Sequence, residues 1–120
     1  MKQVFLINQD LKMRKGKIAV QVAHGEVFYM YEKFTTHQYG SMHDNYIKWM
    51  KDGIMKKVVL KATEQEIRDI VIQLRRKDIW ERVVVDMGLT QVEPNSLTCL
   101  VVEPLPEEQC NELFGHLKLL

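Results

Sequence analysis

Three short, unbroken apolar runs, separated by stretches with a helical period, leave this chain few architectures. Val4-Phe5-Leu6-Ile7, Val58-Val59-Leu60 and Val83-Val84-Val85 have strand length and no polar alternate. Such runs read as strands covered on both faces. Gly16 to about Phe34 predicts a long helix, with Ile18, Ala19, Val22, Ala23, Val27 and Met30 or Tyr31 forming its apolar face. His43 to Lys51 predicts a shorter helix, supplied with apolar surface by Tyr46, Ile47, Trp49 and Met50 and stopped by Asp52-Gly53. Thr63-Glu64-Gln65-Glu66 has the form of a capping box. Behind it Ile67, Ile70, Val71 and Leu74 keep the i, i+3, i+4, i+7 spacing, and Arg75-Arg76-Lys77 suits a helix C-terminus. Leu97 to Val102 predicts a fourth strand, and Pro106 the first position of a last helix closed by Gly115.

Strands alternating with helices predict a three-layer α/β/α sandwich around a four-stranded mixed sheet. Between the third and fourth strands lie only eleven residues without helical pattern. That is short for a parallel crossover, so the last strand is expected to run antiparallel to its neighbour. With 120 residues, no repeat and no linker composition, the chain reads as a single domain over 1–120. Charged residues are 28% of the chain but the net charge is only +1, so any nucleic-acid contact must use a local basic patch. Cys99 and Cys110 lack metal-ligand spacing and make no disulfide framework, which fits a reducing compartment. The N-terminal apolar run is too short for a signal-peptide core or a membrane span, so a soluble, cytoplasmic protein is expected.

Two polar segments interrupt this pattern, Asn8 to Lys17 and Asp86 to Thr98, and each follows a predicted strand. Ligands of open α/β sheets bind beyond the carboxyl ends of strands, so the segments would bring Lys17, Asp86, Thr90 and Thr98 together. Lys12, Arg14, Lys15 and Lys17 form a basic cluster at a helix start. The cluster reads either as a solvated charged loop or as an anion site on helix N-terminal amides. The helix dipole disfavours cations at that end, which argues for a bound anion or a carboxylate. Asp86 before Gly88 could equally be a turn residue or a carboxylate at an active edge. Lys17, Gln21 and His24 share a helix face as a polar stripe. Glycine-rich phosphate loops, HExxH, CxxC and a serine nucleophile elbow are all missing from the sequence, and the four histidines make no ligand set. Metal or nucleotide-cofactor chemistry is therefore not expected.

In order along the chain, several pieces form one signature. They are Met13-Arg14-Lys15-Gly16-Lys17-Ile18-Ala19-Val20-Gln21-Val22-Ala23-His24, Trp49 and Gly53, Lys57 to Lys61, Asp86, Gly88, Thr90-Gln91, Glu93-Pro94, Thr98 and Gly115 to Leu120. The chain so resembles the peptidyl-tRNA hydrolases of the archaeal and eukaryotic type, the type II enzymes, over nearly its whole length. The resemblance implies hydrolysis of the ester joining peptide to tRNA, which recycles tRNA, with no metal or cofactor and usually as a homodimer. It implies Lys17, Asp86, Thr90 and Thr98 as catalytic residues, with Gln21, His24 and Gln91 nearby. Arg14, Lys15, Lys56, Lys57 and Lys118 are the candidates for tRNA phosphates. Gly25-Glu26, Leu89, Asn95 and Phe114 depart from the family pattern, and Asn95 stands where a turn glycine is usual. Asn tolerates the left-handed conformation such a turn needs. An RNA-binding or adaptor module on the same fold, without catalysis, is the alternative, because fold does not fix function.

Overall fold

The computed structural model describes residues 1–36, 40–86, 92–93 and 95–120, with residues 40–42 described by backbone alone. Its elements run β1 (Gln3–Asn8), a 3-10 turn (Gln9–Leu11), α1 (Lys15–Thr35), α2 (Gly40–Lys51), β2 (Lys57–Ala62), α3 (Glu64–Arg76), β3 (Glu81–Val85), β4 (Leu97–Val102), α4 (Glu107–Phe114) and β5 (Lys118–Leu119). Among the described residues the strand order is β3-β4-β1-β2-β5. β1 pairs parallel with β2, while β4 is antiparallel to both β1 and β3. The antiparallel direction expected for β4 is observed. The expected four strands become five, because Lys118 and Leu119 add a short antiparallel edge against Lys61 and Leu60.

The sheet separates two cores. Val4, Leu6, Leu60, Leu100 and Val102 face α3 and α4, meeting Ile67, Ile70, Val71, Leu74, Cys110, Leu113 and Phe114. Phe5, Ile7, Val84, Cys99 and Val101 face α1 and α2, meeting Tyr29 and Trp49. This is the three-layer arrangement the alternating pattern requires.

α3 behaves as its sequence dictates. The Thr63 hydroxyl accepts from Glu66 N–H, and the Glu66 carboxylate accepts from Thr63 N–H, forming the capping box. Asp10 adds a second carboxylate at this helix start, accepting from Glu64 N–H. The expected four apolar residues are buried, each stabilising by about 1.5–3 kcal/mol.

α1 corrects the sequence-based expectation. Its buried residues are Lys17, Gln21, Gly25, Tyr29 and Lys33. Ile18, Val22 and Met30 pack at the margin of the core, while Ala19, Ala23, Val27 and Tyr31 are exposed. Gly25 allows this face to approach the sheet, since a Cβ there would lie 3.1 Å from Val101 Cβ. Pro106 is the residue preceding α4 rather than its first residue.

Candidate active site

β1, β2 and β3 run in one direction and β4 in the other, so Asn8, Ala62, Val85 and Leu97 end at the same edge of the sheet. α1 starts over that edge. The result is a direct ion pair between Lys17 Nζ and Asp86 Oδ1. Both residues are only 9% exposed. Taking two charges out of water costs several kcal/mol per ion before their attraction is counted. A buried pair of this kind is therefore weak as a device for stability and needs another explanation.

The backbone fixes Asp86. Its N–H donates to the Ser96 carbonyl at 3.0 Å, and Asn95 N–H donates to the Asp86 carbonyl at 2.6 Å. Asn95 has φ 64°, the left-handed conformation expected of an asparagine replacing a turn glycine. The two bonds clasp both ends of the segment between β3 and β4.

Thr98 is placed by a β-bulge. Val84 pairs with Cys99 but Val85 pairs with Leu97, leaving Thr98 as the extra residue. Bulges of this kind re-aim a side chain near a site. The Thr98 hydroxyl donates to Gln21 Oε1 at 2.6 Å and lies 3.1 Å from the Val84 carbonyl. Thr98 and Gln21 are fully enclosed, at 0% and 1% exposure. Gln21 is one helical turn from Lys17, so one face of α1 carries both the cation and the Thr98 partner.

Asn8 belongs to the same edge. It is buried, its amide donates to the Leu97 carbonyl at 2.8 Å, and its Oδ1 accepts from Asp10 N–H. It ties the end of β1 to the start of β4, one residue before Thr98. Its position at the end of the first apolar run was the available signal for this role.

The remaining candidates separate. Arg14 and Lys15 are exposed at the start of α1, where no side chain caps the helix and no acid occupies the first turn. Lys118 is exposed on β5 opposite Lys61, at the carboxyl end of β2. His24 is exposed and leaves the buried stripe. Lys56 and Lys57 lie at the amino end of β2, the opposite edge of the sheet. There Lys56 pairs with Glu107 at 3.0 Å, and Lys57 sits 4.7 Å from the centre of the Trp49 ring. Thr90 and Gln91 fall outside the described residues, as do Gly88, Leu89 and Pro94. Burial pushes the Cys99 thiol up to about 12 and, first among its causes, the Cys110 thiol up to about 11, which suits packing rather than nucleophilic attack. Among the described residues there is no group of three or more His, Cys, Asp or Glu side chains able to hold a metal.

The fold is a mixed α/β sandwich with a buried lysine–carboxylate pair at the carboxyl edge of its sheet. The family model of the peptidyl-tRNA hydrolases PTH2 matches residues 1–120, and the chain belongs to that family. A protein named peptidyl-tRNA hydrolase from Thermococcus sibiricus is 38% identical over 120 residues, covering 99% of this chain and 97% of its own length. One of the same name from Thermococcus onnurineus is 39% identical with the same coverage. Another from Metallosphaera sedula is 33% identical over the full length of both chains.

Proposed function

We propose that this protein hydrolyses the ester between peptide and tRNA in peptidyl-tRNA, releasing tRNA for reuse. The observation that carries this reading is the buried Lys17–Asp86 pair beneath the uncapped, cationic start of α1. Family membership over the whole chain supports the substrate.

Water attacks the ester carbonyl carbon and passes a proton to Asp86. The carbonyl oxygen becomes an oxyanion, which the Lys17 ammonium stabilises. Collapse breaks the carbon–oxygen bond to the 3′ ribose, and the proton held at Asp86 goes to the leaving oxygen. Asp86 also aims the Lys17 ammonium through their direct contact. Thr98 acts by positioning: its hydroxyl fixes Gln21 and with it the helix face that presents Lys17. Thr90 and Gln91 complete the proposed set on the segment between β3 and β4. Arg14, Lys15 and Lys118, with Lys12 and Lys61 beside them, supply the phosphate contacts from the same edge. Such contacts release counterions, so binding weakens as salt rises.

A cytoplasmic location is supported by two buried free thiols and by a substrate made in translation. Among the described residues no helix is long and apolar enough to cross a membrane. A homodimer is supported by the exposed apolar stripe of α1, where Val20, Val27, Tyr31 and Phe34 are 48–66% exposed. One domain over 1–120 is supported by the extent of the family match.

The direct experiment follows release of labelled N-acetyl-amino acid from N-acetyl-aminoacyl-tRNA. Steady release with multiple turnovers is expected, and slow or no release from the free-amine aminoacyl-tRNA. Binding of tRNA without release would instead identify an adaptor.

A further inference from the structure

A second feature begins at the start of α1 and takes no part in the chemistry above. A groove of about 660 Å³ is lined by Lys15, Ile18, Ala19, Val22, Val59 and Leu120. Apart from Lys15 at one end, every lining side chain is apolar. α1 packs over β4, β3 and β1, leaving the α1-side surface of β2 open at Val59. Leu120 N–H donates to the Val59 carbonyl at 3.1 Å, which extends this surface past β5. Lys17 and Asp86 lie on the β3 and β4 flank of α1, so the groove and the ion pair occupy opposite flanks of the same helix.

Gly16 stands between them. It is exposed, its backbone is helical, and a Cβ added there would meet no atom within 4 Å. Neither a left-handed turn nor internal packing calls for glycine at this position. Glycine weakens a helix relative to alanine by up to about 1 kcal/mol. A residue that weakens the helix start without serving the fold leaves room for something outside the chain.

Resting on the reading of this site as a peptidyl-tRNA hydrolase, we infer that the peptide part of the substrate crosses the start of α1 at Gly16. Its side chains then lie in the groove of Ile18, Ala19, Val22, Val59 and Leu120. The ester is held at Lys17, and the residues preceding it in the peptide reach the groove. A peptide extends at most about 3.3–3.6 Å per residue, so two or three residues span the width of one helix start, given a backbone helix radius of about 2.3 Å. The occupant is apolar because the lining is apolar. Bulky apolar side chains in the peptide should therefore raise kcat/KM, whereas the residue joined to tRNA should matter less.

The test uses two N-acetylated tripeptidyl-tRNAs with the same glycine at the ester. One carries two leucines before it, the other two glycines. The unaltered protein is expected to favour the leucine substrate in kcat/KM by about 10-fold or more, the scale of one or two well-filled apolar contacts. Ala19→Trp, which fills the groove, and Leu120→Asp, which charges it at an exposed residue, should each bring that ratio below about 3-fold. Gly16→Ala should raise the thermal midpoint while lowering kcat/KM on both substrates. Equal rates on the two substrates by the unaltered protein would overturn the inference while leaving the proposed function intact. So would Ala19→Trp and Leu120→Asp lowering both substrates alike, the result expected if a second copy of the chain occupies the groove. Failure to hydrolyse either substrate would overturn the proposed function itself.

Discussion

α3 and α1 lie on opposite faces of one sheet and are built on opposite plans. α3 begins with a capping box and two further carboxylates, Asp10 and Glu64, and turns Ile67, Ile70, Val71 and Leu74 inward. α1 begins with Arg14, Lys15 and Lys17, has no side-chain cap, and turns Lys17, Gln21 and Lys33 inward while Val27 and Tyr31 face out. The cap, the acidic first turn and the inward apolar face of α3 each lower the free energy of the helix. Several choices in α1 raise it: cations at the positive end of the dipole, buried charge, and a glycine in the first turn. The start of α1, where the chemistry is proposed, carries these costs and the start of α3 does not, as expected when a functional site breaks local rules.

The contrast can be broken from either side. The largest effect is expected at the ion pair. Lys17→Ala and Asp86→Ala should each lower turnover of N-acetyl-aminoacyl-tRNA by about 100-fold or more. Asp86→Ala should also cost about 3–5 kcal/mol of stability, because the Lys17 ammonium is left buried without its carboxylate. Denaturant unfolding and single-turnover rates on the same samples check both. Near-normal turnover in both variants would remove the pair from the mechanism.

On α3 the expectation is stability without chemistry. Leu74 is 0% exposed, and Leu74→Ala should cost about 2–5 kcal/mol. Turnover at a temperature where the variant stays folded should be unchanged. A selective loss of turnover would show that α3 also serves the site.

The smallest effect concerns Glu26, a half-buried carboxylate on α1. Burial raises its pKa from 4.5 and outweighs the lowering by Lys57 and by Gln3. A folded-state value above the unfolded one means the folded protein holds the proton longer. This contribution is fully present below the unfolded value and is lost as pH rises through the folded one. Glu26→Gln should therefore raise the thermal midpoint at pH 7 by a few degrees, and its advantage should shrink below about pH 4.5. A variant less stable than the unaltered protein at pH 7 would mean that the Glu26 carboxylate makes a net favourable contact.

How legible each region was follows from the same contrast. α3 could be read completely, since its apolar period and its cap point to one answer. The bounds of α1 could be read, but its inward face could not. Periodicity counts apolar side chains, and here the residues at four-residue intervals that reach the sheet are Lys17, Gln21, Gly25, Tyr29 and Lys33. The meeting of Lys17 with Asp86 was legible because strand direction sends both to one edge. The Gln21–Thr98 bond was not, because it depends on a β-bulge that no local pattern announces. Lys56 and Lys57 were grouped with the site by charge alone, and the direction of β2 carries them to the far edge. β5 escaped because two residues hold no period.

The central claim is that the buried Lys17–Asp86 pair at the start of α1 is kept for chemistry and not for the fold. The most direct test replaces both partners at once, with Lys17→Met and Asp86→Leu in one chain. Stability should recover to that of the unaltered protein or above it, since a buried pair exchanged for apolar residues of similar size is often neutral or stabilising by about 1–4 kcal/mol. Turnover of N-acetyl-aminoacyl-tRNA should stay at least about 100-fold down. A double variant that is stable and still turns over at a near-normal rate would contradict the account.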